Sequence, residues 1–262
     1  KVIRFGIFAG MSKYLHDKVV PYKDSEKTKK QQVAAMFDNI AYRYDFLNRF
    51  LSGGIDILWR KKLIAQLKDL PGLITSDRGR KNAVHILDVA TGTGDVAIMT
   101  WKALQPAKIT GIDISEGMLE IGKQKIIRQL LNTHIELKQG DSEAINAEPG
   151  SFDAVTVAFG VRNFEHLEKG LSEILRVLKP GGKLAVLEFS QPKGFIRWPY
   201  QLYMKYLAPG FGKLFSNNKD AYKYLHSSVK AFPEGETFLH ILQKVGFKDT
   251  TLKTLSLGIC TI

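Results

Sequence analysis

The chain has one cysteine, Cys260, among 262 residues, and no hydrophobic run longer than a β-strand. A single thiol excludes an intramolecular disulfide framework and a cysteine-rich zinc site, and it fits a reducing compartment. The longest apolar run, residues 154–161, is far below the ~20 residues that span a bilayer. The apolar stretch within the first ten residues is broken by Arg4 and is too short for a secretory signal. We therefore expect a globular, cytoplasmic protein without a metal site.

Positive charge is concentrated in two segments. The formal net charge is +12, and residues 1–81 contain 17 basic and 8 acidic side chains. Residues 193–230 contain 7 basic and 1 acidic, and the remainder is net negative. Such segments favour anionic partners, namely nucleic acid, an anionic membrane surface or an acidic substrate. The alternative is solvated lysines that only aid solubility, and we favour it for the runs at 29–30 and 60–62.

The hydrophobic pattern changes at about residue 84. Residues 26–51 and 59–70 have the three- and four-residue spacing of amphipathic helices. Beyond residue 84, short apolar runs alternate with helical segments, which predicts a parallel sheet with helices on both faces. A turn is predicted at 180–182. The predicted strands are 84–90, 108–114, 135–139, 152–159 and 183–189, followed by a closing hairpin over 247–252 and 257–262.

These patterns suggest a domain organisation. Met11 resembles a natural start, so we interpret residues 1–10 as an upstream or added extension. Residues 11–81 form a helical lid segment that ends in an exposed linker, and residues 82–262 form the sheet domain. Within it, residues 193–230 are an insertion rich in aromatic and basic side chains.

A glycine turn between the first strand and the following helix predicts a ligand site. Gly92 and Gly94 let the backbone approach a ligand, and the helix start offers free N–H groups. Asp113 ends the second strand 19 positions after Gly94, where a carboxylate can accept both ribose hydroxyls. Asp141 follows the third strand and is placed to accept from an adenine amino group. The pattern indicates an adenosine-containing ligand.

The identity of that ligand is open on spacing alone. The spacing Gly92-x-Gly94-x-x-Ala97 satisfies a dinucleotide motif, which would suit NAD(P) and an oxidoreductase. However, Asp88 and Asp95 flank the turn, and two carboxylates would repel a diphosphate but attract a sulfonium and an amino group. We therefore favour S-adenosylmethionine over NAD(P), with a purely structural turn as the third reading.

Three segments resemble the ubiquinone/menaquinone biosynthesis C-methyltransferase family. They are residues 44–59, which begin Tyr-Asp-Phe-Leu-Asn; residues 159–163, Phe-Gly-Val-Arg-Asn; and residues 176–190, which include Leu-Lys-Pro-Gly-Gly. The resemblance covers nearly all of residues 30–262. The chain departs from the family pattern at Leu47, usually Met, and at Asp56, usually His, so no histidine can act at that position. Ala158 stands where many relatives have Ser, which removes one hydroxyl contact to the cofactor.

The resemblance implies a class I S-adenosylmethionine-dependent methyltransferase. The fold would be a Rossmann-like, mainly parallel seven-stranded sheet with a C-terminal antiparallel hairpin. The reaction would be methylation of a ring carbon of a prenylated quinol, either demethylmenaquinol or a methoxy-benzoquinol. Together with the turn, the residues expected to contact the cofactor are Asp88, Gly92, Thr93, Gly94, Asp113, Asp141, Ser142 and Ala158.

Methyl transfer to such a ring needs a proton acceptor and positive charge for the developing oxyanion. We expect Arg162 to supply the fixed charge, with an ion pair to Glu165 as its structural alternative. Asn163 and Tyr44 are candidates for hydrogen bonds to the ring oxygens. The proton would leave through water, with His166 a weaker candidate for the base.

The two basic segments flank the sheet, so we expect a basic, aromatic-rich lid that meets the membrane surface from which a prenylated quinol comes. The protein would then be peripheral at the inner face of the membrane, with a homodimer as one option for its assembly. A nucleic-acid methyltransferase is the competing interpretation of the charge. The chain lacks both an Asn/Asp-Pro-Pro-aromatic stretch and a separate RNA-binding module, so we expect no nucleic-acid partner.

Overall fold

A computed structural model describes residues 14–73, 83–203 and 219–262. Its centre is a seven-stranded sheet with the order β3-β2-β1-β4-β5-β7-β6. The first five strands pair in parallel, and β7 pairs antiparallel with both β5 and β6. The strands are β1 (His85–Val89), β2 (Lys108–Asp113), β3 (Ile135–Gln139), β4 (Phe152–Ala158), β5 (Leu178–Phe189), β6 (Thr254–Leu255) and β7 (Cys260–Thr261).

Helices cover both faces of the sheet, as the sequence predicts. Adjacent residues of β1 show why: Ile86 belongs to a buried cluster with Leu63 of the N-terminal segment, and Leu87 belongs to a second cluster with Leu171. A strand buried on both sides reads as a continuous apolar run. The helices are α1 (Lys29–Ser52), α2 (Ile55–Ala65), α3 (Asp95–Leu104), α4 (Glu116–Arg128), α5 (Leu167–Val177), α6 (Arg197–Leu202), α7 (Lys219–Ala231) and α8 (Glu236–Val245).

Local signals set the ends of the N-terminal helices. The Thr28 side chain accepts a hydrogen bond from the backbone N–H of Gln31, which caps the start of α1. Gly53 has φ +58° and ends the helix in the left-handed conformation. The second helix then starts at Ile55, four residues earlier than the spacing alone predicts, and it ends at Ala65 rather than at residue 70.

Two sequence predictions need correction at the C-terminal half of the sheet. Residues 180–182 lie within β5 rather than in a separate turn, because the pairing with β4 skips from Phe152–Leu178 to Ala154–Lys183 and leaves a bulge. The closing hairpin is antiparallel, as expected, but its first strand is Thr254–Leu255 rather than 247–252, and both strands are only two residues long. Residues 1–10, the linker over 75–82 and part of the 193–230 insertion lie outside the described residues.

Helix α1 crosses the carboxyl ends of the parallel strands. Asp38 accepts hydrogen bonds from the Ser115 hydroxyl (2.6 Å) and the Gly117 N–H (2.9 Å), which fixes α1 on the start of α4. Asp45, two turns further along, accepts from the Thr93 hydroxyl at 2.6 Å. This edge of the sheet is where open α/β folds bind ligands. Among the described residues, no helix is both long and apolar enough to cross a bilayer.

Candidate active site

A narrow cleft of about 70 Å³ opens at the carboxyl ends of β1, β2 and β4, and α1 covers it. Backbone strain marks this edge, because Ala90 and Phe159, which follow β1 and β4, have φ values of +54° and +58°. Seven of the sequence-predicted residues line the cleft: Tyr44, Gly92, Asp113, Asp141, Ser142, Ala158 and Asn163. Tyr44 lines it from α1. The geometry thus brings most of the predicted site together.

Asp113 is held at the cleft by the backbone around it. Its carboxylate accepts hydrogen bonds from the N–H groups of Gly92 (2.8 Å) and Ser115 (2.9 Å). Burial raises the pKa of this carboxyl to about 6, although the backbone hydrogen bonds act in the opposite direction. The side chain is therefore a preorganised acceptor at the end of β2 and needs no rearrangement to meet a ligand.

At the other end of the cleft, Lys30 of α1 forms an ion pair with Asp141. The Lys30 ammonium also lies 3.5 Å from a carboxylate oxygen of Glu143. Although partial burial opposes it, hydrogen bonding to Asp141 raises the pKa of Lys30. Asp141, Glu143 and Glu165 together with Asp113 give this cleft an acidic lining.

Three predicted cofactor contacts do not line the cleft. The Asp88 carboxylate is buried beneath the glycine turn and accepts from the hydroxyls of Thr91 and Thr156, each at 2.6 Å. Thr93 donates to Asp45, and Gly94 begins α3 with its Cα facing Leu137 and Gly122. Asp88 therefore supports the turn from below, because its side chain is 1% exposed and does not line the cleft.

Asp95 is also paired within the protein. It accepts from Arg49 at 2.7 Å and forms an ion pair with Lys125, whose ammonium lies 2.8 Å from Asp45. Arg49 continues the chain of charges to Asp56. Both carboxylates that flank the turn are therefore paired within the protein, whereas the four carboxylates described above line the cleft.

A second, apolar cavity of about 410 Å³ adjoins the cleft. The residues Phe37, Tyr44 and Phe159 line both spaces, so their side chains form the partition between a polar and an apolar compartment. Helices α1, α2, α6 and α7 supply most of its wall. Trp59 is packed there as expected, 5% exposed, and its Nε1–H donates to the Ser256 hydroxyl at 2.8 Å. This volume is within the range of small-molecule pockets.

Arg162 lies in the wall of the apolar cavity and is 6% exposed. Its Nη1 donates to Glu188 and to the Phe159 carbonyl, each at 2.6 Å. The expected alternative, a bridge to Glu165, is wrong, because the Glu165 carboxylate accepts from the Lys29 backbone N–H instead. The Nε–H of Arg162 is buried and has no hydrogen-bond partner among the described residues. Such a donor is costly unless a ligand completes it.

Asn163 does not line the same space as Arg162, although the sequence predicts that both contact the acceptor ring. It lines the polar cleft and not the apolar cavity. Its side-chain oxygen accepts from the Tyr224 hydroxyl at 3.0 Å, while its amide nitrogen lies 3.4 Å from the Phe159 carbonyl oxygen. His166 is at the exposed start of α5, where its Nδ1 lies 2.9 Å from Glu143. Neither residue reaches the apolar cavity.

The sequence interpretation missed several buried cations. The Lys29 ammonium is 4% exposed and donates to the carbonyls of His16 (2.8 Å) and Phe164 (3.0 Å). Burial lowers the pKa of Lys29 to about 8. Arg60 is 5% exposed. The interpretation of Lys29 and Arg60 as solvated surface residues is therefore wrong, although Lys61 and Lys62 are exposed as expected. A helical spacing that places position 29 on the same face as Val33 is the signal that could have found the first of them.

Replacing Asp88 by asparagine is expected to reduce the pH dependence of the free energy of unfolding between about pH 4 and pH 6, and the buried Asp113 carboxyl, whose pKa is also raised to about 6, keeps the remaining slope. Burial raises the pKa of the Asp88 carboxyl from 3.8 to about 6, so the folded protein holds a proton there that the unfolded chain has released. The stability due to Asp88 is therefore fully present below pH 4 and is lost as the pH rises through 6, by on the order of 3 kcal/mol.

Urea denaturation at a series of pH values measures this slope. Asp69→Asn is the matched control, because the Asp69 side chain is 74% exposed. An Asp88→Asn variant with the wild-type slope would contradict the assignment.

Comparison with known proteins agrees with this geometry. Residues 25–262 match the model of the ubiE/COQ5 methyltransferase family. A demethylmenaquinone methyltransferase of Bacteroides fragilis is 44% identical over 250 residues, which cover 95% of this chain and 97% of that protein. A ubiquinone/menaquinone biosynthesis C-methyltransferase of Geobacter sulfurreducens is 41% identical and covers 94% of this chain and 91% of its own length.

Solved structures agree at the level of the fold. The [4+2]-cyclase SpnF matches with a TM-score of 0.61 and 22% identity, over 88% of this chain and 76% of that one. At this identity the likeness concerns the architecture alone. Together with the family match, it confirms the predicted class I methyltransferase fold. An NAD(P)-dependent oxidoreductase does not agree with the family match over residues 25–262. The chain belongs to the ubiE/COQ5 methyltransferase family.

Proposed function

We propose that this chain transfers a methyl group from S-adenosylmethionine to a ring carbon of a prenylated quinol, demethylmenaquinol in particular. The observation that supports it most directly is the pair of adjoining compartments separated by Phe37, Tyr44 and Phe159. One compartment has four carboxylates in its lining, and the other is lined almost entirely by apolar surface. A charged methyl donor and a lipid acceptor can therefore occupy neighbouring sites, each in a compartment whose lining suits it.

The acidic lining of the cleft suits S-adenosylmethionine, and the cleft volume of about 70 Å³ must increase when a ligand of this size binds. When bound, this co-substrate supplies an electrophilic methyl group on a positively charged sulfur. Asp113 is positioned to accept from its ribose and Asp141 from its adenine, while Gly92 leaves the backbone accessible. The carboxylates of Glu143 and Glu165 add negative potential that favours a cationic ligand. Lys30 must leave Asp141, or share it, when the adenine end is filled.

The apolar cavity fits the quinol ring and the beginning of its prenyl chain. Loss of the hydroxyl proton next to the methylated carbon spreads negative charge into the ring and makes that carbon nucleophilic. Arg162 can stabilise this charge, because its Nη2 has no hydrogen bond to the described residues and, unlike its Nε, is not sealed from the cavity. Glu188 holds the guanidinium in place and is already paired. We therefore assign the proton to water, both at the hydroxyl and at the ring carbon after transfer.

Among the described lining residues, the polar side chains near Arg162 include two tyrosines. Tyr224 donates to Asn163, and Tyr44 stands in the partition with its ring edge-on to Phe37 at 5.9 Å between centroids. We assign Tyr44 to positioning of the ring at the partition and Asn163 to the cofactor side. The naphthoquinol is favoured as acceptor because the Bacteroides fragilis relative is named a demethylmenaquinone methyltransferase.

A methyl-transfer assay with labelled S-adenosylmethionine tests the activity. Reduced demethylmenaquinone and a demethylated methoxy-benzoquinol are offered side by side, each in detergent micelles. We expect label in the naphthoquinol product and at least tenfold less in the benzoquinol product. The oxidised quinone is the control, because it has no hydroxyl to deprotonate. Absence of label from both quinols would contradict the proposed function.

Exposed apolar side chains on the elements around the apolar cavity suggest how a lipid substrate reaches it. They form an apolar rim on or next to the helices α1, α2 and α6: Phe46, Phe50, Ile55, Leu58, Phe195 and Trp198. The exposed basic residues Lys61, Lys62, Lys193 and Arg197 lie on the same elements or beside them. Aromatic and basic side chains together are typical of surfaces that bind anionic membranes. We propose that this rim contacts the membrane surface peripherally.

Replacing Phe195 and Trp198 by serine is expected to reduce sedimentation with phosphatidylglycerol vesicles at least fivefold at low salt. The two side chains are 82% and 70% exposed, so their loss leaves the core intact. Ile127→Ser is the control, because Ile127 is exposed on α4 and lines neither cavity. Equal sedimentation of all three proteins would contradict the membrane contact. A homodimer stays a prediction.

A further inference from the structure

Arg60 is a second buried guanidinium in the wall of the apolar cavity. It lies on α2 and is 5% exposed. Among the described residues that line this cavity, Asp56, Arg60 and Arg162 are the ones with a formal charge. Burying a charge in an apolar wall is costly unless pairing or a ligand compensates it. The question is therefore what Arg60 does that an apolar residue could not.

The hydrogen bonds within the protein use only part of the Arg60 guanidinium. Its Nη1 donates to Asp56, which also accepts from Arg49 and from the Ser52 hydroxyl at 2.8 Å. The Asp56 carboxylate thus already accepts hydrogen bonds from three side chains. The remaining Arg60 nitrogens, Nε and Nη2, have no hydrogen bond to described residues, and they are not sealed off as the Nε of Arg162 is. Arginine therefore keeps donors that face accessible space in this wall.

Both arginines converge on the same partition residue. The Arg60 Cζ lies 5.9 Å from the centroid of the Phe159 ring. The Arg162 Nη1 lies 2.6 Å from the carbonyl oxygen of Phe159. Phe159 separates the apolar cavity from the polar cleft. Two guanidinium groups thus hold donors beside the point where the methyl group must cross, one near the ring and one near the backbone of the same residue.

We propose that Arg60 and Arg162 bind the two para oxygens of the quinol ring, with Arg162 at the hydroxyl next to the methylated carbon and Arg60 at the opposite one. This assignment rests on the proposed function. It makes Arg60 a specificity-determining residue, because a ring that lacks the second oxygen leaves its donors unfilled. Sites built to hydrogen-bond a substrate group reject analogues without that group far more strongly than apolar pockets reject a missing methylene.

The test compares two acceptors in the full chain. One is reduced demethylmenaquinone; the other is a prenylated 1-naphthol that keeps the hydroxyl next to the methylated carbon and lacks the second. Wild type is expected to prefer the quinol by about 10²-fold in kcat/KM. Arg60→Met should lower kcat/KM for the quinol by about 10–100-fold, the usual effect of losing a hydrogen bond to a charged group. Its kcat/KM for the naphthol should stay within threefold of wild type.

Two further variants separate this role from a structural one. Arg60→Lys keeps the charge and should restore part of the preference for the quinol. The double variant Asp56→Asn/Arg60→Met removes both members of the buried pair and should resemble Arg60→Met in its preference. Affinity for S-adenosylhomocysteine should be unchanged in all three, which reports that the fold and the cofactor cleft are intact.

The outcomes are distinguishable. An equal loss of kcat/KM on both acceptors in Arg60→Met would overturn the assignment, as would a wild type that methylates both acceptors equally well. A wild type that methylates neither acceptor would overturn the proposed function, and with it this assignment.

Discussion

Replacing Arg162 by methionine is expected to lower kcat for methyl transfer by about 10²–10³-fold while the affinity for S-adenosylhomocysteine stays within about twofold. The loss follows from removing the donor that stabilises negative charge on the acceptor oxygen, an effect of this size for a single preorganised donor. The cofactor affinity should be retained because Arg162 lines the apolar cavity and not the polar cleft. Single-turnover kinetics and calorimetric titration measure the two quantities.

The control for this prediction concerns Glu188, which is 3% exposed and would be left without its cation. An unpaired buried carboxylate costs about 3–5 kcal/mol, so Arg162→Met alone is expected to be less stable. The double variant Arg162→Met/Glu188→Gln removes both charges and should regain most of the stability without regaining turnover. Recovery of turnover in the double variant would instead mean that Arg162 acts only by supporting the fold.

Replacing Gly160 by alanine is expected to weaken cofactor binding by about 10–100-fold. A Cβ at this position would lie 2.5 Å from the Cβ of Ala90 and 3.2 Å from Val157. Ala90 follows β1 and Gly160 follows β4, and both line the polar cleft. Because a Cβ is anchored to its backbone, the clash must be relieved by moving the two strand ends apart, which displaces the cleft wall. Titration with S-adenosylhomocysteine measures the loss.

A second substitution provides the control. The Ala90→Gly change removes the methyl group that Gly160→Ala would strike, and Ala90 has φ +54°, a conformation that glycine adopts at no steric cost. The double variant Gly160→Ala/Ala90→Gly is therefore expected to bind S-adenosylhomocysteine within threefold of wild type. A double variant as weak as Gly160→Ala would show that the contact between the two strand ends is not the cause.

The parallel sheet could be predicted because short, mostly apolar runs such as β1 and β4 alternate with helical segments. The ends of β1 and β2 could also be predicted, because a glycine turn follows β1 and Asp113 is the last residue of β2. The C-terminal hairpin could be predicted, but the bounds of its two-residue strands could not, because the apolar residues over 247–262 extend well beyond the pairs that form. The sequence predicts a turn rather than a bulge at residues 180–182, because glycine and proline are common in turns and in bulges alike.

The candidate site could likewise be predicted only in part. Asp113, Asp141 and Ser142 follow strands in sequence, so their meeting at one edge is a consequence of parallel topology. The role of Asp88 could not be foreseen, because Thr156, which occupies one of its oxygens, is 68 positions away. Lys29 looks like surface charge until Phe164, 135 positions away, closes over it. The apolar cavity draws its wall from four helices and has no local signature.

Helix α1 contributes Phe37 and Tyr44 to both compartments. A ligand that displaces this helix in one compartment would therefore change the wall that the second ligand meets in the other. Linkage then demands reciprocity: the factor by which S-adenosylhomocysteine changes the dissociation constant of the quinol equals the factor by which the quinol changes that of S-adenosylhomocysteine. Methylated product and spent donor would accordingly influence each other's departure through a single shared wall.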